Sequence, residues 1–387
     1  MSAVIALPRL MRIGAGASGE LAATLAAFGL KRPLIVSDRY LVSVGHVDRL
    51  VADLPSAGIT GTRVFSDTVP DPTVASIEAG VAFANEADHD CVVGFGGGSP
   101  LDSAKAIAVL SRFGGRMRDY MVPHVQDAPG LPVIAIPTTA GTGSEATRFT
   151  IITDETTSEK MLCVGLAYLP LAALVDYELT LTMPRRLTAD TGIDSLTHAI
   201  EAYVSKRANP FSDGMALQAM RAIAPNLRVV DREPDNRPAR EAMMLGATQA
   251  GIAFSNASVA LVHGMSRPIG AYFHVPHGLS NAMLLPTVTA YSAPGALKRY
   301  AQCAMAMGVA GEDEGDQSAV ARLLDELRAL NADLDVPTPA KYGIGREAWD
   351  KVLDSMAEQA LASGSPGNNP LVPSAEEIKA LYNQAYA

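Results

Sequence analysis

Four short β-rich runs, each separated from the next by a helical stretch, constrain the fold of this chain more than any other feature of its sequence. Pro33-Leu-Ile-Val-Ser37 reads as a buried strand followed by a helical stretch over residues 40–57. Residues 61–66 read as a second strand, with a helix starting near Asp71-Pro72-Thr73. Residues 91–95 read as a third, with a helix over 100–112, and residues 132–136 as a fourth. Strands joined through helices cannot be hairpins, so they pair in parallel within a layered α/β domain. Runs at 149–153, 161–164 and 172–176 extend or flank that sheet. After residue 182 helical periodicity takes over, with no strand pattern and with breaks at Asn209-Pro210, Pro225, Gly264, Pro276, Pro286, Pro294 and Pro337. The expected division is an α/β domain over residues 1–183 and a helical domain over 184–387, and 387 residues suit two cores.

With 48% hydrophobic and 19% charged residues the chain is expected to fold and stay soluble. Its formal net charge of −10 argues against nucleic acid or an anionic membrane surface as partner. Residues 242–266 carry no charge, which is long enough to span a bilayer. They include Thr248, Gln249, Asn256 and His263, however, so burial within the helical domain explains them better than lipid does. Cys91, Cys163 and Cys303 form no CxxC pair and read as reduced thiols. The apolar stretch at 3–7 is short and ends at Pro8-Arg9, unlike a signal peptide. A cytoplasmic protein is expected.

Gly96-Gly-Gly-Ser-Pro-Leu-Asp102 joins the third strand to its helix. The glycines let backbone approach a ligand closely. Ser99 is placed as an N-cap, Pro100 as the first helical residue, and Asp102 as the partner in a capping box. Free amides at such a helix start form an anion site. A second polar loop, Pro137-Thr-Thr-Ala-Gly-Thr-Gly-Ser-Glu145, follows the fourth strand, where an open α/β sheet places its ligand crevice. Asp38 closes the first strand. A carboxylate there can accept from a ribose diol and repel a 2′-phosphate, favouring NAD over NADP, although ordinary turn chemistry also explains it.

Asp194 and His198 stand four apart on an expected helix and so share a face. His263 and His277 each adjoin a glycine in a mainly apolar context. One carboxylate and three imidazoles suit Fe(II), Zn(II), Co(II) or Ni(II), although the long spacings do not by themselves bring the residues together.

Taken with Ala189-Asp-Thr-Gly-Ile-Asp-Ser-Leu-Thr-His-Ala-Ile-Glu201, His263-Gly-Met265 and Pro276-His-Gly278, these loops resemble the iron-containing (group III) alcohol dehydrogenase family over nearly the whole chain. The resemblance implies a dehydroquinate synthase-like architecture: an N-terminal α/β dinucleotide-binding domain, an all-α C-terminal metal-binding domain and a cleft between them. It implies iron(II), or zinc(II), on Asp194, His198, His263 and His277. It places Asp38 at the adenosine ribose, and Gly96, Gly97, Gly98 and Ser99, with Asp102 beside them, at the pyrophosphate. Thr138, Thr139 and Thr142 would line the adenine and ribose pocket, with Thr147 and Lys160 as further NAD contacts. Asp71, implied as another cofactor contact, stands where many relatives carry asparagine. Arg267 stands where many carry a histidine that is a candidate proton relay. Arginine cannot shuttle protons, so Arg267 binds either an anionic group on the substrate or a phosphate or acid nearby.

The implied activity is hydride transfer between a small alcohol or hydroxy acid and NAD, the metal polarising the substrate oxygen. The proton would leave through water, the ribose hydroxyl or a group such as His274. The rivals are a metal-dependent lyase of dehydroquinate-synthase type, a hydroxyacid-oxoacid transhydrogenase that retains its NAD(H), and a binding protein without turnover. A homodimer or larger homo-oligomer is expected.

Overall fold

The computed structural model describes residues 2–387, which divide into two compact units. Residues 6–182 form one, and residues 183–387 with the segment through Ile5 form the other.

In the α/β unit the strands are β1 Leu10–Ile13, β2 Pro33–Val36, β3 Arg63–Phe65, β4 Cys91–Gly96, β5 Val133–Pro137, β6 Phe149–Asp154, β7 Glu159–Val164 and β8 Ala172–Val175. Among the described residues, six of them form one parallel sheet in the order β1-β8-β5-β4-β2-β3. The strands β6 and β7 form a separate antiparallel pair, so these runs flank the sheet rather than extend it. The helices are α1 Leu21–Ala27, α2 Arg39–Ser43, α3 His46–Val51, α4 Val74–Ala84 and α5 Gly98–Phe113.

Side chains alternate along each strand, so the sheet feeds two cores. Leu34, Val36 and Val92 pack with Ile77 of α4 and Ile107 of α5. Ile35, Val93 and Phe95 pack with Leu21 and Leu25 of α1 and Val47 of α3. Burial on both faces explains why these strands read as unbroken apolar runs.

Three local expectations need correcting. β1 has no counterpart in the sequence reading, because it is a half-exposed edge strand with arginine in its middle. The helix expected over 40–57 is split into α2 and α3, where Gly45 takes a φ of 73°. The third concerns the start of α5. Gly97, not Ser99, is its N-cap, no side chain caps it, and Asp102 forms no capping box. The glycine run lets the helix begin before Ser99, which leaves its first amides free.

Asp102 instead accepts from the Ser144 hydroxyl at 2.7 Å and the Ile151 amide at 3.0 Å. Beside it Lys105 is fully buried. Its Nζ donates to Ser144 Oγ at 2.8 Å, to the carbonyl and hydroxyl oxygens of Thr147, both at 3.1 Å, and to the Phe149 carbonyl at 2.9 Å. Burial pushes the ammonium down to about 8, opposed by the charges of Asp102 and Glu145. These bonds tie α5 to the segment between β5 and β6.

The other unit is helical in its described residues: α6 Arg185–Val204, α7 Pro210–Arg232, α8 Arg237–Asn256, α9 Leu261–Phe273, α10 His277–Ser292, α11 Leu297–Ala306, α12 Asp316–Asp333, α13 Pro339–Tyr342, α14 Arg346–Ala362 and α15 Ala375–Tyr386. Pro225, Gly264 and Pro286, expected as breaks, lie inside α7, α9 and α10. Packing of the surrounding turns outweighs the one hydrogen bond each proline removes. The uncharged segment at 242–266 runs from α8 into α9, which meet at 103°. No single helix among the described residues is long and apolar enough to cross a membrane.

Replacing Lys105 with methionine strips Ser144, Thr147 and Phe149 of a buried donor and leaves Asp102 uncompensated. The expected result is a loss of about 3–5 kcal/mol in the unfolding free energy of the α/β unit, read as a lower denaturant midpoint. An unchanged midpoint would mean that the tether contributes nothing.

Candidate metal centre and dinucleotide loops

Three helices supply one cluster of donors. α6 carries Asp194 and His198 one turn apart, α9 carries His263, and α10 begins at His277. Their donor atoms all lie within 4.8 Å of one another. From Asp194 Oδ1 the distances to Nε2 are 3.4 Å for His263, 3.9 Å for His198 and 3.9 Å for His277. Gly278 makes this approach possible, since a methyl group there would lie 2.4 Å from the Asp190 carbonyl oxygen of α6. The His198 ring stacks between Phe254 and His263, with centroids 4.3 and 4.4 Å away. Asp194, His198 and His263 are buried, while the His277 side chain is 28% exposed, so the cluster opens on the His277 side.

Burial opposes the charge on Asp194, but the surrounding His198, His277 and His263 outweigh it and hold the carboxyl well below its usual range. Burial pushes His198 down to about 3, which keeps it neutral with a lone pair to offer. His263 goes the other way. Burial lowers it, but hydrogen bonds to Asp194 and Glu201 and the charges of both raise it above the usual histidine value.

Glu201, one turn beyond His198, was not singled out from the sequence. Its carboxylate accepts from the Ala260 amide at 2.9 Å, the Val262 amide at 2.6 Å and His263 Nδ1 at 2.6 Å. With Nδ1 donating, the Nε2 lone pair of His263 turns toward Asp194. Asn281, four residues after His277, was also missed. Its Nδ2 donates to Asp194 Oδ1 at 2.7 Å, His263 Nε2 at 3.1 Å and His277 Nε2 at 3.3 Å. Helical spacing of three and four from a ligand was the signal for both.

A divalent ion fits these residues. One amide group serves three converging acceptors, and the buried His198 Nδ1 has no partner. Ligand atoms about 2.1 Å from a tetrahedral ion stand about 3.4 Å apart, near the separations found here.

The other expected residues gather at the carboxyl ends of β4 and β5. A Cβ on Gly98 would meet Thr142 at 2.7 Å and one on Gly97 would meet Thr139 at 3.3 Å, so the two loops touch. Gly96 ends β4 and Thr138 follows β5 directly. The Asp71 amide donates to Ser99 Oγ at 3.3 Å, and its carboxylate pairs with Lys160 Nζ at 2.8 Å. Asp38 caps α2, with Oδ1 accepting from the Leu41 amide at 2.8 Å. Thr147 is buried on Lys105. Arg267 lies on α9 one turn after His263, buried. His274 is an exposed residue at the end of α9, outside the donor cluster.

Residues 8–177 match the family described as iron-containing alcohol dehydrogenase, and residues 188–386 match the Fe-containing alcohol dehydrogenase family, C-terminal. The long-chain-alcohol dehydrogenase 1 of Geobacillus thermodenitrificans (strain NG80-2) is 39% identical over 388 residues, spanning 99% of this chain and 96% of that protein. The NAD-dependent methanol dehydrogenase of Bacillus methanolicus is 34% identical over 380 residues, spanning 98% of each. A solved structure of 1,3-propanediol oxidoreductase aligns with a TM-score of 0.93 at 33% identity, covering 100% of both chains.

Two outcomes follow from the donor cluster. Glu201→Gln is expected to weaken metal binding about 10- to 100-fold, measured by competition with a chromogenic chelator. Unchanged affinity would show that His263 needs no such anchor. Metal uptake is also expected to weaken as pH falls from about 8 to about 6, with proton release on binding. In the metal-free protein His263, with its raised pKa, adds stability that is full below the ordinary histidine range and lost as pH rises through the raised value. The proton therefore competes with the metal on the acid side. Affinity independent of pH over that window would contradict this.

Proposed function

The chain belongs to the iron-containing alcohol dehydrogenase family, and on that premise we propose that it moves hydride between a small alcohol or hydroxy acid and NAD at an iron(II) centre. The observation that carries the reading is the convergence of Asp194, His198, His263 and His277 within 4.8 Å. These four would hold the metal, which when bound supplies Lewis-acid polarisation of the substrate oxygen. Bound nicotinamide supplies the hydride acceptor or donor.

The rest is done by the chain's own groups. Neutral His198 and ionised Asp194 keep lone pairs available, and Glu201 fixes the tautomer of His263. The uncapped start of α5 offers the amides of Gly98 and Ser99 to a pyrophosphate. Thr138, Thr139 and Thr142 border the same loop, and Lys160 adds positive charge held by Asp71. Asp38 spends Oδ1 on its cap and keeps Oδ2 for a ribose diol. Asp102 and Thr147 act from behind, by holding the loop through Ser144 and Lys105.

We also read the protein as a cytoplasmic homo-oligomer. β1 leaves one edge of the sheet unpaired among the described residues, and Leu7 and Ile13 beside it are 40% and 49% exposed. Light scattering after size exclusion measures this directly.

The deciding experiment offers a panel of alcohols and hydroxy acids, with NAD or NADP, to protein reconstituted anaerobically with Fe(II) or Zn(II). Sustained NADH accumulation is expected. Substrate conversion without net NADH would turn the reading to a lyase or a transhydrogenase. His277→Ala is expected to lose bound metal and turnover but to keep NAD affinity within about threefold, because the dinucleotide loops lie on the other unit. Full metal occupancy would remove His277 from the ligand set. NAD is expected to outperform NADP, and Asp38→Gly to narrow the gap by relieving repulsion of the 2′-phosphate. Equal efficiency of the parent with both would take Asp38 away from the ribose.

A further inference from the structure

Arg267 stands on α9 four residues after His263, and so on the same face of the helix. It is 9% exposed. Its Nη1 donates to Ser365 Oγ at 3.2 Å, while its buried Nε has no partner. Among the described residues no carboxylate lies within ion-pair distance of it. By contrast Arg185, Arg228 and Arg299, all more exposed, each pair with an aspartate or glutamate. The acid whose charge reaches Arg267 is Glu201, and that carboxylate is already committed to two amides and His263. Burial lowers the guanidinium to about 10, with Glu201 opposing, so it remains charged at neutral pH. It shares that face of α9 with His263, and its charge also bears on His198.

A buried cation with an idle donor is costly unless something anionic arrives to use it. Asp194 and Glu201 together carry two negative charges, and a divalent ion would balance them. Arg267 then leaves the site with one positive charge in excess.

Resting on the dehydrogenase reading above, we propose that Arg267 is a specificity-determining subsite for a substrate carboxylate, so that the preferred substrates are short hydroxy acids and the matching oxo acids rather than plain alcohols. The guanidinium fork donates to both carboxylate oxygens, and the substrate's reacting oxygen is left for the donor cluster. Neutral alcohols of the same length leave the fork unpaired, a loss that a site built for a charged group discriminates strongly.

The test compares 3-hydroxypropanoate with 1-propanol as substrates for the metal-reconstituted full-length protein and its Arg267→Gln and Arg267→Lys variants. In the parent, kcat/KM is expected to favour the hydroxy acid. In Arg267→Gln the ratio of the two kcat/KM values falls about 10- to 100-fold, the worth of one charge-assisted contact, and in Arg267→Lys it falls less. A parent that prefers 1-propanol, or a ratio unmoved by Arg267→Gln, overturns the proposal.

A second readout does not need turnover. Calorimetric titration of propanoate into zinc(II)-reconstituted full-length protein should give saturable binding that Arg267→Gln weakens and Arg267→Lys partly restores. No propanoate binding to the parent would also overturn it. Titration of NAD into the same proteins covers the competing role: a loss of NAD affinity with propanoate binding intact assigns Arg267 to a cofactor phosphate instead. If no substrate yields NADH while propanoate binding still depends on Arg267, the dehydrogenase reading has failed and the carboxylate subsite has not.

Discussion

The helical unit is organised around one carboxylate. Glu201 leaves α6 and accepts the Ala260 and Val262 amides, donors at the start of α9 that no earlier turn can satisfy. Its third bond fixes His263 Nδ1. The same group therefore determines where α9 begins, how sharply the chain turns out of α8, and which nitrogen of His263 faces Asp194. A buried negative charge survives here because each lone pair it turns inward meets a donor. The bend of 103° is the backbone consequence of that satisfaction. With α9 fixed, only the approach of α10 remains free, and Gly278 against the Asp190 carbonyl sets that.

The α/β unit solves the complementary problem with a cation. Lys105 is buried in the middle of α5 and reaches four oxygens on the segment between β5 and β6. Asp102 on the same helix holds Ser144 and the Ile151 amide. Together they hold the two loops that follow β4 and β5 against each other. The helix start itself is left without a side-chain cap, so its dipole and free amides face outward rather than being answered internally. The capping chemistry expected there has been moved one turn down the helix and put to use as a brace.

How much of this was legible follows from the range of the forces involved. The parallel strands were readable because burial on both faces leaves unbroken apolar runs, as in Val92 and Val93. β1 was not, since an edge strand with half-exposed residues has no such signature. Pro225 and Pro286 misled because local propensity is a weak force beside tertiary packing in a buried helix. Asp194 and His198 declared themselves through helical spacing, while His263 and His277 sit on other helices and were grouped with them by donor chemistry and then by the family resemblance, not by spacing. Glu201 and Asn281 were present in the quoted or neighbouring sequence, at three and four residues from a ligand. That spacing marks their place on the ligands' helices, but not their partners, because a hydrogen bond between helices leaves no periodicity in either one.

The difference between bracing groups and working groups is visible in how fully each is satisfied. Glu201 and Lys105 are buried charges with their bonding capacity committed, and their positions are explained by the fold alone. Buried polar atoms without partners also occur elsewhere, at Tyr168, Arg240 and Trp349, but three of them sit on the helices that carry the donor cluster. His198 Nδ1, Asn281 Oδ1 and Arg267 Nε are all buried without partners, within one group of packed helices. Folded proteins seldom leave such atoms unmet. Unspent hydrogen-bonding capacity on buried groups raises the free energy of the empty site, and it is recovered when ligands of the right charge and shape enter. The helical unit therefore carries its specificity as incompleteness. The bonds it makes fix the positions of the donors, and the bonds it leaves unmade define what the site will accept.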